Sequence, residues 1–376
     1  MNQNCTKNEK VQVYLTSNES VDCVTTTLDS SGQDRPLITF ALFAYNPEQF
    51  IREAIAGAFS QTYSPLEIIL SDDCSSDRTF QIMQEMTSEY RGPHTIILNR
   101  NKKNLGIGAH LNRCMELSHG ELIVGAAGDD ISLPERTVAI YQEWIDSGKK
   151  AFSLDSRYEM IDESGYSIKS PPLRDLPQEQ QLLHFSKTLI NYVHGCTHAW
   201  HRKVFDVFGP LPNLTCEDVL IPLRSMLLGK VVSIDKALVK YRTHRNNIWE
   251  SSETLTIKEQ VDKRVYYLND RIIICADVVR CINEHKGAMK DSSHVFALDK
   301  YISNIYISRK KLVLKLNILS GYRIIRLYSL LKYMCLYRLQ RADISIFIWA
   351  ISNTAYRLGR GMKYIFKACF KPTFTR

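Results

Sequence analysis

Between residues 36 and 130 the hydrophobic pattern changes period several times. Leu37-Ile38-Thr39-Phe40-Ala41-Leu42-Phe43-Ala44 is a short apolar run of strand formers, stopped by Asn46-Pro47. From Pro47 onward Phe50, Ile51, Ala54, Ile55, Ala58 and Phe59 recur at helical spacing, which predicts a helix opening just after the strand. The alternation repeats with a strand at Leu66 to Leu70, a helix from Arg78 to Tyr90, a strand at Thr95 to Leu98, a helix at Gly108 to Leu117 and a strand at Glu121 to Ala126. Strands separated by helices and short links predict an α/β fold with a largely parallel sheet covered on both faces. Past residue 150 the pattern mixes, with strands expected at Phe152 to Ile161, Cys196 to Arg202 and Val231 to Tyr241, and helices at Leu182 to Val193 and Asp218 to Leu228. Lys258 to Asn283 and the chain from Tyr301 onward read as helical.

Residues 1–35 are polar with weak periodicity and read as a loose leader, ahead of an α/β domain over 36–250 and a helical, basic region over 251–376. The composition, 44% hydrophobic, 10% aromatic and 23% charged in 376 residues, excludes a disordered or collagenous chain. The net charge of +8 is unevenly placed, because residues 301–376 hold 15 Lys or Arg against one acid, Asp343. A mildly acidic body therefore carries a strongly basic tail. In that tail Arg309, Lys310, Lys311, Lys315, Arg323, Arg326, Lys332, Arg338 and Arg341 are interleaved with Leu, Ile and Tyr, the pattern of a basic amphipathic helix lying on an anionic leaflet. A helical subdomain with solvated cations is the alternative. Nucleic acid is not an expected partner, because no groove-reading or stacking module accompanies the charge. No uncharged apolar stretch reaches the ~18 residues of a spanning helix; the best, Ile344 to Tyr356, lies between Asp343 and Arg357. The first 20 residues carry Lys7, Glu9, Lys10 and Glu19 and no signal-like apolar run. Ten scattered cysteines without C-x-x-C pairing read as reduced thiols. The expected location is the cytoplasm, with peripheral association at the inner membrane.

The polar clusters Tyr45-Asn46, Asp72-Asp73 and Asp129-Asp130 all follow predicted strands, and ligands of such sheets bind beyond the strands' carboxyl ends. Two adjacent acids repel, and a divalent cation held between them and a phosphorylated ligand relieves the repulsion; the alternative for Asp129-Asp130 is a helix cap. In Asp72-Asp73-Cys74-Ser75-Ser76-Asp77 the acids can accept from a base or ribose, while Ser75 and Ser76 can cap the following helix. Glu217-Asp218 precedes an apolar helix, where acids suit the helix dipole and where a carboxylate could take a proton from an attacking hydroxyl. His194, His198 and His201 have spacing that invites a zinc reading, but they fall on an expected strand and lack a convincing fourth ligand. His244, within Tyr241-Arg242-Thr243-His244-Arg245-Asn246, could meet a diphosphate or sit in a solvated loop.

Seven elements in order, from Pro36 to about Asn247, resemble the family 2 glycosyltransferases, inverting enzymes of the GT-A fold. They are Tyr45-Asn46 after the first strand, Gln61-Thr62-Tyr63 after the first helix, Asp72-Asp73-Cys74-Ser75-Ser76-Asp77, Asn104-Leu105-Gly106, Gly120-Glu121, Asp129-Asp130, and Cys216-Glu217-Asp218 before a helix. The resemblance implies a Rossmann-like, mostly parallel sheet and a nucleotide-sugar donor. Asp73 would hold uracil or another base, with Asp72, Tyr45 and Asn46 around the nucleoside and Asn104, Gly106, Asp129 and His244 also on the donor side. Asp130, with Asp129, would coordinate Mg2+ or Mn2+, and Asp218 would be the catalytic base. The implied activity is hexosyl or N-acetylhexosaminyl transfer from a UDP-sugar to a glycan acceptor, lipid-linked, in O-antigen or capsule assembly. A sugar nucleotidyltransferase and a catalytically inactive nucleotide-binding scaffold are the rival readings. The chain departs from the family pattern at Phe43-Ala44, at Cys74 where Gly is usual, and at Gly128 where many members carry a further Asp.

Overall fold

The computed structural model describes residues 34–168, 193–244, 247 and 257–285, with residues 13–15 and 27–28 and parts of 303–314. Residues 182–192 of the expected helix and most of the basic tail lie outside the described residues. The chain divides into two compact units, Met1–Ser251 with Ala276–Ile302, and Ser252–Cys275 with Ser303–Arg376. The described residues of the second unit are helical. Among the described residues no helix is long and apolar enough to cross a membrane.

The first unit is built on strands β1 (Val13–Leu15), β4 (Ile38–Ala44), β5 (Leu66–Asp72), β6 (Thr95–Arg100), β7 (Leu122–Ala127), β8 (Ile131–Ser132), β9 (Ala151–Ile161), β10 (Ser167–Ile168), β11 (Ala199–His201) and β12 (Lys230–Arg242). A separate small ribbon pairs β2 (Thr27–Leu28) with β3 (Asp34–Arg35). The main sheet runs β1-β6-β5-β4-β7-β11-β9-β12-β8, with β10 on β9. From β1 to β7 every pairing is parallel. All seven residues of β5 are buried, as expected for a strand covered on both faces. The second half is mixed: β11 runs antiparallel to both β7 and β9, β12 pairs β9 in parallel, and β8 is antiparallel to β12.

Helices α1 (Ile51–Phe59), α2 (Thr79–Glu89), α3 (Ile107–Leu117) and α4 (Arg136–Asp146) cover the sheet, followed by α5 (Lys203–Phe208), α6 (Glu217–Leu228) and α7 (Ile257–His285). The inward stripe of α1 is Ile51, Ala54, Ile55 and Ala58, all buried against a core that includes Phe40, Leu42, Ile68 and Leu70. Each large apolar side chain removed from water there contributes about 1.5–3 kcal/mol. At the amino end of the sheet the buried Glu67 carboxylate accepts from the Thr39 hydroxyl, from the His119 backbone N–H and, at 3.0 Å, from its ring Nδ1, which ties the start of β7 to β4 and β5. Helix α6 is anchored by buried Arg224, which pairs with Asp277 at 2.9 and 3.0 Å and donates to the Gly209 carbonyl at 2.6 Å.

The expected strand at Cys196 to Arg202 is shorter than its pattern suggests. Gly195–Thr197 forms a single 3-10 turn, and only Ala199–His201 joins the sheet. Helix α4 was not among the expected elements, although Thr137, Ile140, Tyr141 and Trp144 recur at helical spacing and are buried together with Arg136. The polar leader contributes Val13–Leu15 as an edge strand on β6.

Candidate active site

The winding of the parallel order β6-β5-β4-β7 reverses at β4, and ligands of such sheets bind there, beyond the carboxyl ends of β4 and β7. Tyr45-Asn46 leaves β4 there, Asp72-Asp73 ends β5, and Gly128-Asp129-Asp130 leaves β7. Tyr45 is 55% exposed at this rim. Asn46 has φ 57 and joins β4 to the neighbouring turn: its backbone N–H donates to Ser75 Oγ at 2.8 Å and its Oδ1 accepts from the Ser76 N–H at 2.8 Å.

The Asp72-Asp73 turn is saturated with donors. Asp72 is wholly buried; its carboxylate accepts from the Ser75 N–H at 3.1 Å and pairs with Arg100 Nε at 3.2 Å. Burial raises its pKa despite these partners. Asp73 Oδ1 accepts from Asn101 Nδ2 at 2.8 Å and the Leu105 N–H at 2.9 Å, and Oδ2 accepts from the Gly106 N–H at 3.0 Å. Asn104 Oδ1 takes the same Gly106 N–H at 3.0 Å, and Gly106 has φ 77, so this loop needs a residue free to adopt the left-handed region. Behind Asp73 a buried polar chain continues from Asn101 through Asn99 and Ser71 to His110, whose Nε2 lies 2.7 Å from Ser71 Oγ. Cys74 adopts φ 63 in this turn, the strained conformation that glycine would take freely. Ser75 and Ser76 do not cap α2, contrary to expectation, because both are engaged by Asn46; Asp77 Oδ1 accepts from the Thr79 N–H at 2.9 Å and Glu48 Oε2 from the Arg78 N–H at 2.9 Å.

The Asp129-Asp130 turn is arranged differently. Asp130 is 5% exposed, and its Oδ1 accepts the Arg242 backbone N–H at 2.9 Å. Burial and the adjacent Asp129 charge push its pKa well above the usual carboxylate range, opposed in part by Arg242 and the buried Arg136. Asp129 Oδ2 lies 3.0 Å from His244 Nε2, and the imidazole sits with its centroid 4.9 Å from the Phe50 ring. Neither acid caps α4, whose first residue is Arg136. Gly128 is fixed by crowding: a Cβ there would come within 2.9 Å of Pro47 Cγ and 3.0 Å of Ala44 Cβ, so no further acid fits at the position.

Asp218 stands beside Glu217 in the first turn of α6, half-buried. The 3-10 turn at Gly195 lies against it: a Cβ on Gly195 would be 3.3 Å from Glu217 Oε1 and 3.5 Å from Asp218 Cβ. The next residue, Cys196, has its thiol pKa raised by burial and then by Asp130, Asp218 and Asp129, with Arg136 opposing them. Three acids from two distant segments thus act on one sulfur. Half-buried Tyr241 responds to the same environment, its pKa raised by burial and by Asp130, Cys196 and Asp129.

The three spaced histidines separate. His194 meets the Tyr158 ring edge-on, His198 is buried against the Ser153 hydroxyl, and His201 lies 3.4 Å from Glu121. Burial holds the His198 pKa down to about 3, so its ring is neutral. Among the described residues no group of three or more His, Cys, Asp or Glu side chains could hold a metal ion by itself. Sequence reasoning did not single out Cys196 or Arg136 for the site, and it named Arg242 only among the polar neighbours of His244 that could meet a diphosphate. Arg242 had a signal, as a cation ending an apolar strand beside His244, but its burial could not be read from spacing.

Residues 39–209 match the model of Glycosyl transferase family 2. An uncharacterized glycosyltransferase of Haemophilus influenzae is 26% identical over 263 residues, 66% of this chain and 79% of its own length. An uncharacterized protein of Mycobacterium tuberculosis is 26% identical over 217 residues, 56% of this chain, which spans 60% of that relative's length. Among solved structures, S. aureus TarS 1-349 in complex with UDP-GlcNAc aligns with 78% of this chain and 88% of its own, at 17% identity and a TM-score of 0.46. The helix-covered sheet with acids along its carboxyl edge is the architecture that the sequence resemblance implied. Residues 39–209, somewhat less than half of the chain, carry this likeness to the family 2 glycosyltransferases.

Proposed function

We propose that this chain transfers a hexosyl or N-acetylhexosaminyl group from a UDP-sugar to an acceptor hydroxyl, inverting the anomeric carbon, on a lipid-linked glycan of surface-polysaccharide assembly. The observation that carries this reading is the placement of Asn46, Asp73 and Asp129-Asp130 beyond the carboxyl ends of adjacent parallel strands, within the stretch that matches the family. In this reading Asp218 is the general base: as the acceptor oxygen bonds to the anomeric carbon, its hydroxyl proton passes to the Asp218 carboxylate and the nucleoside diphosphate departs. Asp73 receives the base. Its Oδ2 accepts a single protein N–H, which leaves acceptor capacity for an imide N–H. Asp72 supports Asp73 from behind, and Tyr45, Asn46, Asn104 and Gly106 border the nucleoside.

Asp130 and Asp129 suit Mg2+ or Mn2+. With Gly128 closed to a third acid, one or two carboxylates are available, and a hard cation completes such a shell with water and phosphate oxygens. When bound, the ion supplies Lewis-acid stabilisation of the charge that grows on the leaving diphosphate. His244, held against Asp129, is placed by this reading on the diphosphate side of the donor. The basic stretch beyond residue 300 supports a membrane role, since a lipid-linked acceptor is met at an anionic surface. A chain truncated after residue 300 should then lose its sedimentation with anionic vesicles; retained sedimentation contradicts that role.

The test of the chemistry is Asp218→Asn. Sugar transfer should fall about 100-fold or more while nucleoside-diphosphate binding, followed by calorimetry, stays as in the wild type. Unchanged transfer removes Asp218 from the mechanism.

A further inference from the structure

Arg242 is the least conventional buried charge in the first unit. Its side chain is wholly buried, yet its one carboxylate partner among the described contacts, Glu53 at 2.9 Å, is 54% exposed. The rest of the guanidinium is spent on backbone. Nε donates to the Asp129 carbonyl at 3.1 Å, and Nη1 donates to the Asp162 and Glu163 carbonyls at 3.3 and 3.0 Å. The plane stacks over Phe50 with Cζ 4.8 Å from the ring centroid. The residue's own backbone N–H holds Asp130 Oδ1. One side chain therefore joins the turn after β7, the turn between β9 and β10, and helix α1.

Burying a cation costs several kcal/mol unless its surroundings compensate. A fold needing only to fill this space could do so with an apolar side chain. What the guanidinium adds is direction, because a planar fork fixes several acceptors at once where an ammonium on a flexible stem reaches one or two.

We propose that Arg242 is the positioning residue of the Asp129-Asp130 turn, setting both carboxylates for a divalent cation and a nucleoside diphosphate. The proposal rests on the functional reading above for the nature of the ligand. It goes beyond that reading in assigning the geometry of the turn to a residue that touches neither ligand.

The test uses the full chain with Mn2+ alone, read by electron paramagnetic resonance, and with UDP plus Mn2+, read by calorimetry. Arg242→Lys keeps the charge but loses the fork, and should weaken both affinities about 10-fold or more. Glu53→Gln alters only a half-exposed partner and should weaken them in the same direction by about 2- to 5-fold. A merely structural role would lower the unfolding temperature and leave the affinities of the folded protein unchanged, and that result overturns the proposal. If Arg242→Lys does not fold, Glu53→Gln decides by the same criterion. A wild-type chain that binds Mn2+ but no nucleoside diphosphate contradicts the functional reading while leaving the Mn2+ comparison in force; a wild type that binds neither overturns both.

Discussion

Two aspartate pairs end two parallel strands of the same sheet, and their surroundings are opposite. Around Asp72-Asp73 the protein supplies donors: the Ser75, Leu105 and Gly106 N–H groups, the Asn101 amide and the Arg100 guanidinium. Around Asp129-Asp130 burial and the adjacent acid dominate, raising the Asp130 pKa, while Arg242 and Arg136 oppose them only in part. N–H donors around a carboxylate stiffen its turn, although burial still raises the Asp72 pKa. A carboxylate that is buried in acidic company is left with a deficit of positive charge that a cation can fill. The first pair builds a rigid socket, and the second is poised for an ion.

That contrast can be broken by substitution. Removing Asp73 should destabilise the fold, because the buried Asn101 amide and the partly buried Leu105 and Gly106 N–H groups lose a charged acceptor at once. Asp73→Ala is expected to cost about 3 kcal/mol or more in urea unfolding. A loss below about 1 kcal/mol would mean that the turn is held by other contacts.

A smaller effect concerns the polar chain behind Asp73. His110 is buried, and desolvation pulls its pKa down to about 4, with Asp73 opposing the shift. The unfolded chain protonates this imidazole near pH ~6.5, so the folding contribution is complete above that pH and is lost as pH falls toward 4. The slope reaches about 1.4 kcal/mol per pH unit for one such group, and His198, held down to about 3 by burial, acts in the same direction. Urea midpoints at pH 7 and pH 5 should therefore fall less in His110→Gln than in the wild type. An equal fall in both would show that the His110 ring is not a source of the acid sensitivity.

Much of this arrangement was legible in the chain. The parallel half reads correctly because its strands are continuous apolar runs: Leu37 to Ala44 became Ile38–Ala44, and Leu66 to Leu70 became Leu66–Asp72. Those ends placed Asp72, Asp73, Asp129 and Asp130 on one edge. What could not be read was the difference between the two pairs, since it depends on partners far away in sequence, Asn101 to Gly106 for one and Arg242 and Cys196 for the other. Helix α4 was missed although Thr137, Ile140, Tyr141 and Trp144 keep helical spacing; what the sequence could not show is that its first residue, Arg136, is buried against the Ser132 hydroxyl and the Gly125 carbonyl. The turn at Gly195–Thr197 was masked by the strand-like residues on either side of it.

The most direct test of the contrast is thermal unfolding of Asp130→Asn at pH 7, with and without UDP and Mn2+. The amide keeps an oxygen for the Arg242 N–H and removes a buried charge from beside Asp129. The ligand-free variant should unfold at a higher temperature than the wild type, and the stabilisation that UDP with Mn2+ gives the wild type should disappear. A ligand-free variant that unfolds at a lower temperature, with the UDP and Mn2+ stabilisation intact, would contradict the assignment of this pair as the cation site.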